Sequence, residues 1–345
     1  MTYAHGHRWM GAALALAERG RGRTAPNPSV GCVLIQDGRV VGRGWTQPGG
    51  RPHAEAVALA QAGDAAQGAT AYVTLEPCAH ASPRGPACAD LLVAAGVKQV
   101  VAAIGDPDLR TNGSGLARLR AAGIEVAVGV LETEARRSMA GFLTRQRLGR
   151  PFVTLKLATS LDGCIATAGG ESRWITGPDA RAHAHLERSR HEAILVGRGT
   201  WEADRPALDV RLPGLAGRSP VRVVLSTTPP HPSAAPGGSL PLPMGEGGGD
   251  PIWIAAPEHI ADLANVDHLL VEGGAQTATA FLRAGLVDRL LLYRAPILIG
   301  GGLPGLADYG MTALTDAHDR WQLADARQLG ADRVEVYERP PCSQA

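Results

Sequence analysis

The chain has 345 residues, 45% of them hydrophobic and 19% charged, which favours two ordinary soluble globular domains. A net charge of +1 and an aromatic content of 4% argue against a nucleic-acid partner, which would want a basic, aromatic-lined groove.

The start, Met1-Thr2-Tyr3-Ala4-His5-Gly6, lacks the charged-then-apolar pattern of a secretory signal, and no run of eighteen apolar residues follows. A soluble, cytoplasmic protein with no membrane contact is expected. Met10, Ala13, Leu14 and Ala17 recur at helical spacing over 7–19, closed by Gly20. Pro26-Asn27-Pro28 pins Asn27 in an extended loop, either a plain turn or part of a site. The apolar runs 30–35 and 40–44 flank Asp37-Gly38, a hairpin signal. Pro52 and the Ala/Leu-rich run 54–62 predict a helix beginning near His53. A strand over 71–75 leads into Glu76-Pro77-Cys78, which places Cys78 at the mouth of a helix or turn. A helix follows Cys88 and ends at Gly96; then come a strand at 100–104, a short helix at 114–122 and a strand at 124–128. Strands alternating with helices predict a three-layer α/β sandwich. The segment 106–115 is a loop at strand ends, where ligands collect, or a plain turn. A charged helix over 132–147 breaks at Gly149-Arg150-Pro151, so domains of 1–148 and 149–345 are expected.

His53, Cys78 and Cys88 form a set of borderline-soft N and S donors suited to zinc. Three ligands leave a fourth position for water, which marks a catalytic rather than a structural site. Glu55, two residues after the histidine, can take a proton from the attacking water and return it to a leaving amine. His-x-Glu followed by Pro-Cys and a second Cys is the pattern of the zinc nucleobase deaminases, with a longer step between the cysteines than their usual Cys-x-x-Cys. The remaining cysteines imply no disulfide framework, which suits a reducing cytoplasm: Cys32 belongs to a core-like run, and Cys164 and Cys342 are isolated.

In the second half, an apolar strand over 152–158 is interrupted by Lys156, either a snorkelling edge residue or a site residue. Asp162-Gly163 then turns the chain. The helix from 178 to about 190 carries His183 and His185 on different faces, so no metal pair is expected there. The strand 193–196 meets a glycine turn, Gly197-Arg198-Gly199-Thr200, which alone is weak evidence for a dinucleotide. After a strand at 221–225, residues 229–250 are nearly all Pro, Gly and Ser and are expected to be a flexible insertion. A strand over 268–271, then Glu272-Gly273-Gly274 and a helix to about 284, is the geometry that offers backbone N–H groups to a phosphate, or else a glycine turn without ligand.

With Pro26-Asn27-Pro28, Val30-Gly31-Cys32, His53-Ala54-Glu55, Thr74-Leu75-Glu76-Pro77-Cys78-Ala79-His80, Lys156 to Gly163, Trp174-Ile175-Thr176 and Glu272-Gly273-Gly274, nearly the whole chain resembles the bifunctional deaminase/reductases of riboflavin biosynthesis. The resemblance implies an N-terminal cytidine-deaminase-like three-layer sandwich and a C-terminal dihydrofolate-reductase-like α/β domain. It implies two cofactors, zinc and NADPH, and a small pyrimidine ribotide substrate that is first deaminated and then reduced from ribosyl to ribityl. Zinc falls to His53, Cys78 and Cys88, and acid/base work to Glu55. Ala158, Trp174, Thr200, Asp204, Ser226, Gly274, Ala275, Gln276, Thr277, Ala278, Thr279 and Ala280 match NADPH positions. Asn27, Lys156, Ser172, Arg188, Leu208, Arg211 and Glu272 match substrate positions, with Arg188 and Arg211 as natural partners of the phosphate. Assembly as a homo-oligomer is left open. The chain departs from the family pattern at residues 82–87, at Asp204-Arg205-Pro206 and at Met139. Two other readings stand beside this one. The first is a deaminase of another nucleotide or of nucleic acid, with a non-catalytic second domain. The second is a zinc-stabilised binding module, which would want a fourth protein ligand.

Overall fold

The computed structural model describes residues 3–80, 82–228 and 249–340. It divides into two compact units, Met1–Gly149 and Arg150–Ala345.

The first unit runs α1 (Tyr3–Ala17), β1 (Gly31–Gln36), β2 (Arg39–Trp45), α2 (Ala54–Ala62), β3 (Thr70–Val73), α3 (Cys88–Ala94), β4 (Gln99–Ala102), α4 (Ser114–Ala121), β5 (Glu125–Val128), α5 (Glu132–Ser138) and α6 (Ala140–Leu148). Its sheet has the order β2-β1-β3-β4-β5. β1 pairs antiparallel with β2 and β3, and β3-β4-β5 are parallel. Asp37 and Gly38 both have positive φ, 50° and 74°, as a two-residue hairpin turn requires. Helices cover both faces. A Cβ on Gly31 would lie 1.9 Å from the Ala13 carbonyl of α1, and one on Gly44 would lie 2.1 Å from the Ala54 carbonyl of α2. Gly44 pairs with Cys32, the neighbour of Gly31, so the two glycines point to opposite faces. The expected three-layer sandwich is thus present. α1 starts at Tyr3 rather than residue 7. The single helix expected over 132–147 is two: Met139 leaves helical geometry (φ −105°, ψ 21°), and its side chain, 1% exposed, is buried in the core of the unit.

The second unit runs β6 (Phe152–Thr159), β7 (Cys164–Ala166), α7 (Pro178–Arg188), β8 (Ala193–Gly197), α8 (Arg198–Asp204), β9 (Val221–Leu225), β10 (Ile252–Ile254), β11 (His268–Glu272), α9 (Ala275–Arg283), β12 (Arg289–Arg294), β13 (Leu303–Pro304), β14 (Gln322–Leu329) and β15 (Asp332–Glu338). Its main sheet has the order β10-β9-β8-β11-β6-β12-β15-β14. The strands from β10 to β12 are parallel, and β15 and β14 add antiparallel pairs. Side chains alternate between two cores. Val153, Leu155, Leu195 and Leu269 pack on the face with Ala278 and Phe281 of α9. Ile194, Val196, Val224 and Leu270 pack on the other. The period of two therefore sends Lys156, between Leu155 and Leu157 of β6, to the face opposite α9. The glycine turn expected at 197–200 is a helix start: Gly197 is the N-cap of α8, which contains Thr200. Of the expected insertion 229–250, residues 229–248 lie outside the described residues, as does Cys342.

Candidate active sites

Sequence order alone leaves His53, Glu55, Cys78 and Cys88 spread over two helices and a loop. His53 is the N-cap of α2 with extended backbone (φ −72°, ψ 162°), and Glu55 lies in the helix's first turn. Thr74 closes the end of β3, where its hydroxyl accepts the Gly31 N–H at 3.1 Å. The next residues turn out of the sheet as Leu75-Glu76-Pro77-Cys78, so the strand stops at Val73 rather than residue 75. Glu76 is buried and its carboxylate gathers the loop behind the site. Oε2 accepts the N–H groups of Asp106 and Gly113 (3.1 and 3.0 Å), and Oε1 those of Gly115 and Leu116 (2.9 and 3.2 Å). A Cβ on Gly115 would lie 1.9 Å from the Pro77 carbonyl, so only glycine lets the start of α4 come this close. Cys78 does not itself open a helix. It faces one: Cys88 is the first residue of α3, and its N–H donates to Cys78 Sγ at 3.3 Å.

His53 Nδ1 lies 3.3 Å from Cys88 Sγ and 3.7 Å from Cys78 Sγ, and the three ligating atoms lie within 4.8 Å of one another. One imidazole and two thiols converging at that separation fit a tetrahedral zinc with one position open. Hydrogen bonding from Cys88, aided by His53, holds the Cys78 thiol down at about 4, while the same bond and burial push Cys88 up. Glu55 is 4% exposed, and burial raises its carboxyl against the pull of His53. Asn27 Nδ2 donates to the Gly50 carbonyl at 2.7 Å and lies 3.3 Å from His53 Nε2, which places its amide at the edge of the site.

Asn27, His53, Glu55 and Cys78 line a cavity of about 400 Å³ with His80, Asp106, Asp108 and Arg110, and with Arg51 and Arg84. Burial raises Asp106 to about 6. Sequence reading passed over His80, Asp106 and Arg110 as individuals. The signal for His80 was the Thr74-to-His80 motif, and for Asp106 and Arg110 the placement of 106–115 at strand ends.

In the second unit, Lys156 and Glu272 are register partners on β6 and β11. Lys156 Nζ lies 3.8 Å from Glu272 Oε2. Arg188 of α7 grips the same carboxylate with Nε and Nη2 at 2.8 and 2.9 Å, and donates Nη1 to the Asp209 carbonyl at 3.1 Å. Burial would raise Glu272, but Lys156 and Arg188 outweigh it and hold the carboxyl at about 2. Two nitrogens of the Arg188 guanidinium, expected as a phosphate partner, are thus engaged by Glu272. Arg211 remains exposed, beside Asp209 at 3.4 Å. Gly274 is the N-cap of α9, without a side-chain cap, and no atom lies within 4 Å of where Cβ atoms on Gly199 or Gly274 would be. That open backbone at two strand-to-helix junctions fits a dinucleotide.

The other expected contacts fall in three groups. Thr200, Asp204, Ser226, Ala275 and Gln276 follow the C-terminal ends of β8, β9 and β11. Ser226 Oγ donates to the Thr228 carbonyl at 2.7 Å. Asp204 pairs with Arg173 at 2.9 Å, next to Ser172 and to Trp174, which is 67% exposed under the Arg181 guanidinium. Ala158 and Ala280 are partly buried, while Thr277, Ala278 and Thr279 point into the protein. Thr279 Oγ1 accepts the Ala307 N–H at 2.9 Å. Leu208 is in a core cluster with a φ of 55°, unusual for leucine, which leaves its backbone rather than its side chain for contact. A larger cavity of about 890 Å³ is apolar, lined by Leu157, Leu290, Leu292 and Trp321, and Lys156, Arg188 and Glu272 do not line it. Among the described residues no helix is long and apolar enough to cross a membrane.

A His/Cys/Cys metal set beside a buried glutamate in one unit, and a glycine-opened parallel sheet in the other, define a zinc-dependent deaminase joined to a reductase. Residues 4–104 match the cytidine and deoxycytidylate deaminase zinc-binding region, and residues 151–334 match the RibD C-terminal domain. The riboflavin biosynthesis protein RibD of Escherichia coli (strain K12) is 42% identical over 358 residues, covering 94% of this chain and 96% of the relative. That of Haemophilus influenzae is 43% identical over 363 residues, covering 94% and 95%. The solved structure of Acinetobacter baumannii RibD superposes with a TM-score of 0.83 at 37% identity, covering 99% of this chain and all of the other. A Thermotoga maritima structure, described as a diaminohydroxyphosphoribosylaminopyrimidine deaminase/5-amino-6-(5-phosphoribosylamino)uracil reductase, gives 0.81 at 30% identity, covering 98% and 99%. The chain belongs to the RibD family, the bifunctional deaminase/reductases of riboflavin biosynthesis, whose cofactors are zinc and NADPH.

Proposed function

We propose that the chain performs both steps on one pyrimidine ribotide: deamination of a diamino-ribosylaminopyrimidinone 5′-phosphate in residues 1–148, then reduction of the ribosyl group to ribityl in residues 149–345. The observation that carries this reading is the buried Glu55 in the cavity lined by His53 and Cys78, with Cys88 Sγ 3.3 Å from His53 Nδ1 behind it. Zinc, held by those three ligands, supplies the activation of water, and NADPH supplies the hydride.

The protein's own groups do the rest. Glu55, raised by burial, takes the proton of the attacking water on its carboxylate and hands it to the departing amine, so that ammonia leaves neutral. Asn27, 3.3 Å from the His53 ring, presents an amide to the pyrimidine edge. Arg51, Arg84 and Arg110 are the lining cations a ribotide phosphate meets. In the second unit Lys156 contacts the sugar end of the substrate, and Glu272 attracts its ammonium from 3.8 Å. Arg211, exposed at the same end, is the remaining guanidinium for the phosphate. The N–H groups that begin α9 at Gly274 would hold the NADPH pyrophosphate.

A cytoplasmic setting belongs to this proposal, supported by the four free described cysteines. So does assembly into a homo-oligomer, supported by the large apolar cavity of the second unit and tested by light scattering. The whole reading is tested by following ammonia release and NADPH oxidation together on the pyrimidinone ribotide. Ammonia without NADPH consumption, or neither, overturns it.

A further inference from the structure

The face of the second sheet that carries Lys156 also carries an aromatic ring with its own tether. Tyr293 is on β12, the parallel neighbour of β6, one pair along from the Lys156 level: Lys156 pairs with Leu291, and Ala158 with Tyr293. Side chains two apart on a strand share a face, so the Tyr293 ring and the Lys156 ammonium meet. Nζ lies 5.6 Å from the ring centroid, within the roughly 6 Å reach of a cation–π contact. Tyr293 is 1% exposed and packs with Ala180, Leu291 and Val334, so it has no freedom to swing away. Its hydroxyl is hydrogen-bonded to His183 Nδ1 on α7 at 2.8 Å. The other ring nitrogen of His183, Nε2, is buried with no hydrogen-bond partner among the described residues. The Tyr293 hydroxyl is therefore what anchors this histidine, and the two rings stand edge-on at 5.8 Å.

Lys156 thus has two supports of different kinds. Glu272 Oε2 attracts its ammonium at 3.8 Å, but that carboxylate is already gripped by both arms of Arg188. A distance of 3.8 Å is too long for a hydrogen bond, so Glu272 sets charge and leaves direction loose. The Tyr293 face bounds the ammonium from the β12 side, and His183 bounds the tyrosine. We propose that Tyr293 and His183 are positioning residues for Lys156 in the reduction, fixing where its ammonium meets the sugar. This rests on the reading of Lys156 as a substrate contact. Tyr293 is the register partner of Ala158, an expected NADPH position, so the NADPH KM is read beside kcat to separate the chemical step from cofactor capture.

The test uses the full-length enzyme with zinc, and follows NADPH oxidation on the already deaminated ribotide. Tyr293→Leu removes the ring face and is expected to lower the reductase kcat at least tenfold, with the NADPH KM within twofold of the parent. Tyr293→Phe keeps the face and loses the tether, as does His183→Ala; each is expected to lower kcat by two- to fivefold. The double variant should be no worse than either single, because both break one bond. His183→Asn, which restores a polar partner for the hydroxyl, should recover most of the loss. Ammonia release should be unchanged in every variant. Parental kcat in Tyr293→Leu, while Lys156→Ala is inactive, overturns the positioning role and leaves the Lys156 reading standing. Parental kcat in Lys156→Ala overturns that reading itself. Should Tyr293→Leu also lose NADPH binding, the single and double variants of the tether decide alone, and multiplicative losses overturn the proposal.

Discussion

Glu55 is the residue on which the first chemistry turns, because it is both buried and next to the metal set. Glu55→Gln keeps the shape and the ligands but cannot cycle a proton. Ammonia release should fall by on the order of 10²- to 10⁴-fold, while zinc content and reduction of deaminated substrate persist. Cys78→Ser and Cys88→Ser should each lose zinc, since a hydroxyl is a poor ligand at neutral pH; metal analysis of the purified variants checks it. Glu272 sets a pH limit on the other unit. Its folded value of about 2 lies below its ordinary 4.5, so its contribution is fully present above 4.5 and is lost as pH falls from there towards 2. The loss is on the order of 3 kcal/mol at most, and urea unfolding at pH 6, 4 and 3 should show it. Glu272→Gln should be less stable at pH 6 and flatter across that window.

At the scale of elements, the close approach of α4 to the Pro77 segment ties the metal site to the sheet. Gly115→Ala would place a methyl 1.9 Å from the Pro77 carbonyl, and overpacking of this kind costs about 1–3 kcal/mol. The loop that holds Cys78 should shift, so zinc affinity and ammonia release should fall with NADPH oxidation unchanged, measured side by side. What the sequence disclosed follows the same division. The hairpin at Asp37-Gly38, the helix beginning after His53 and the strand into Lys156 were legible because local pattern and turn chemistry determine them. The metal set was legible because few residue types bind zinc. The role of Glu76 was not: its four N–H partners lie 30 to 40 residues away. The commitment of Arg188 to Glu272, 84 residues on, was hidden for the same reason. Gly197 to Thr200 looked like a turn because two glycines outweighed the helix formers after them, yet the segment is a helix whose partly buried Trp201 packs on the Ile194, Val196 and Val224 cluster.

For the molecule as a whole, each unit carries its own hydrophobic clusters. A fragment of residues 1–149 should bind zinc and release ammonia without NADPH. A fragment of residues 150–345 should bind NADPH without zinc, by calorimetry; failure there, with binding by the full chain, would show that the reductase fold needs its neighbour. The order of strands also has a meaning in time. In the first unit the parallel strands are laid down in the order in which they stand, β3-β4-β5, and the sheet is complete at residue 128. In the second, β6 emerges first but lies between β11 and β12, whose residues begin at 268 and 289. At roughly 5–20 residues per second, the ribosome needs on the order of ten seconds or more to supply those neighbours. During that interval the nascent chain already contains a finished metal pocket and an unpartnered central strand. The deaminase can therefore be metallated while still being translated, whereas the reductase must wait until its last strands leave the ribosome. Ribosome-arrested chains ending at residue 228 should already release ammonia.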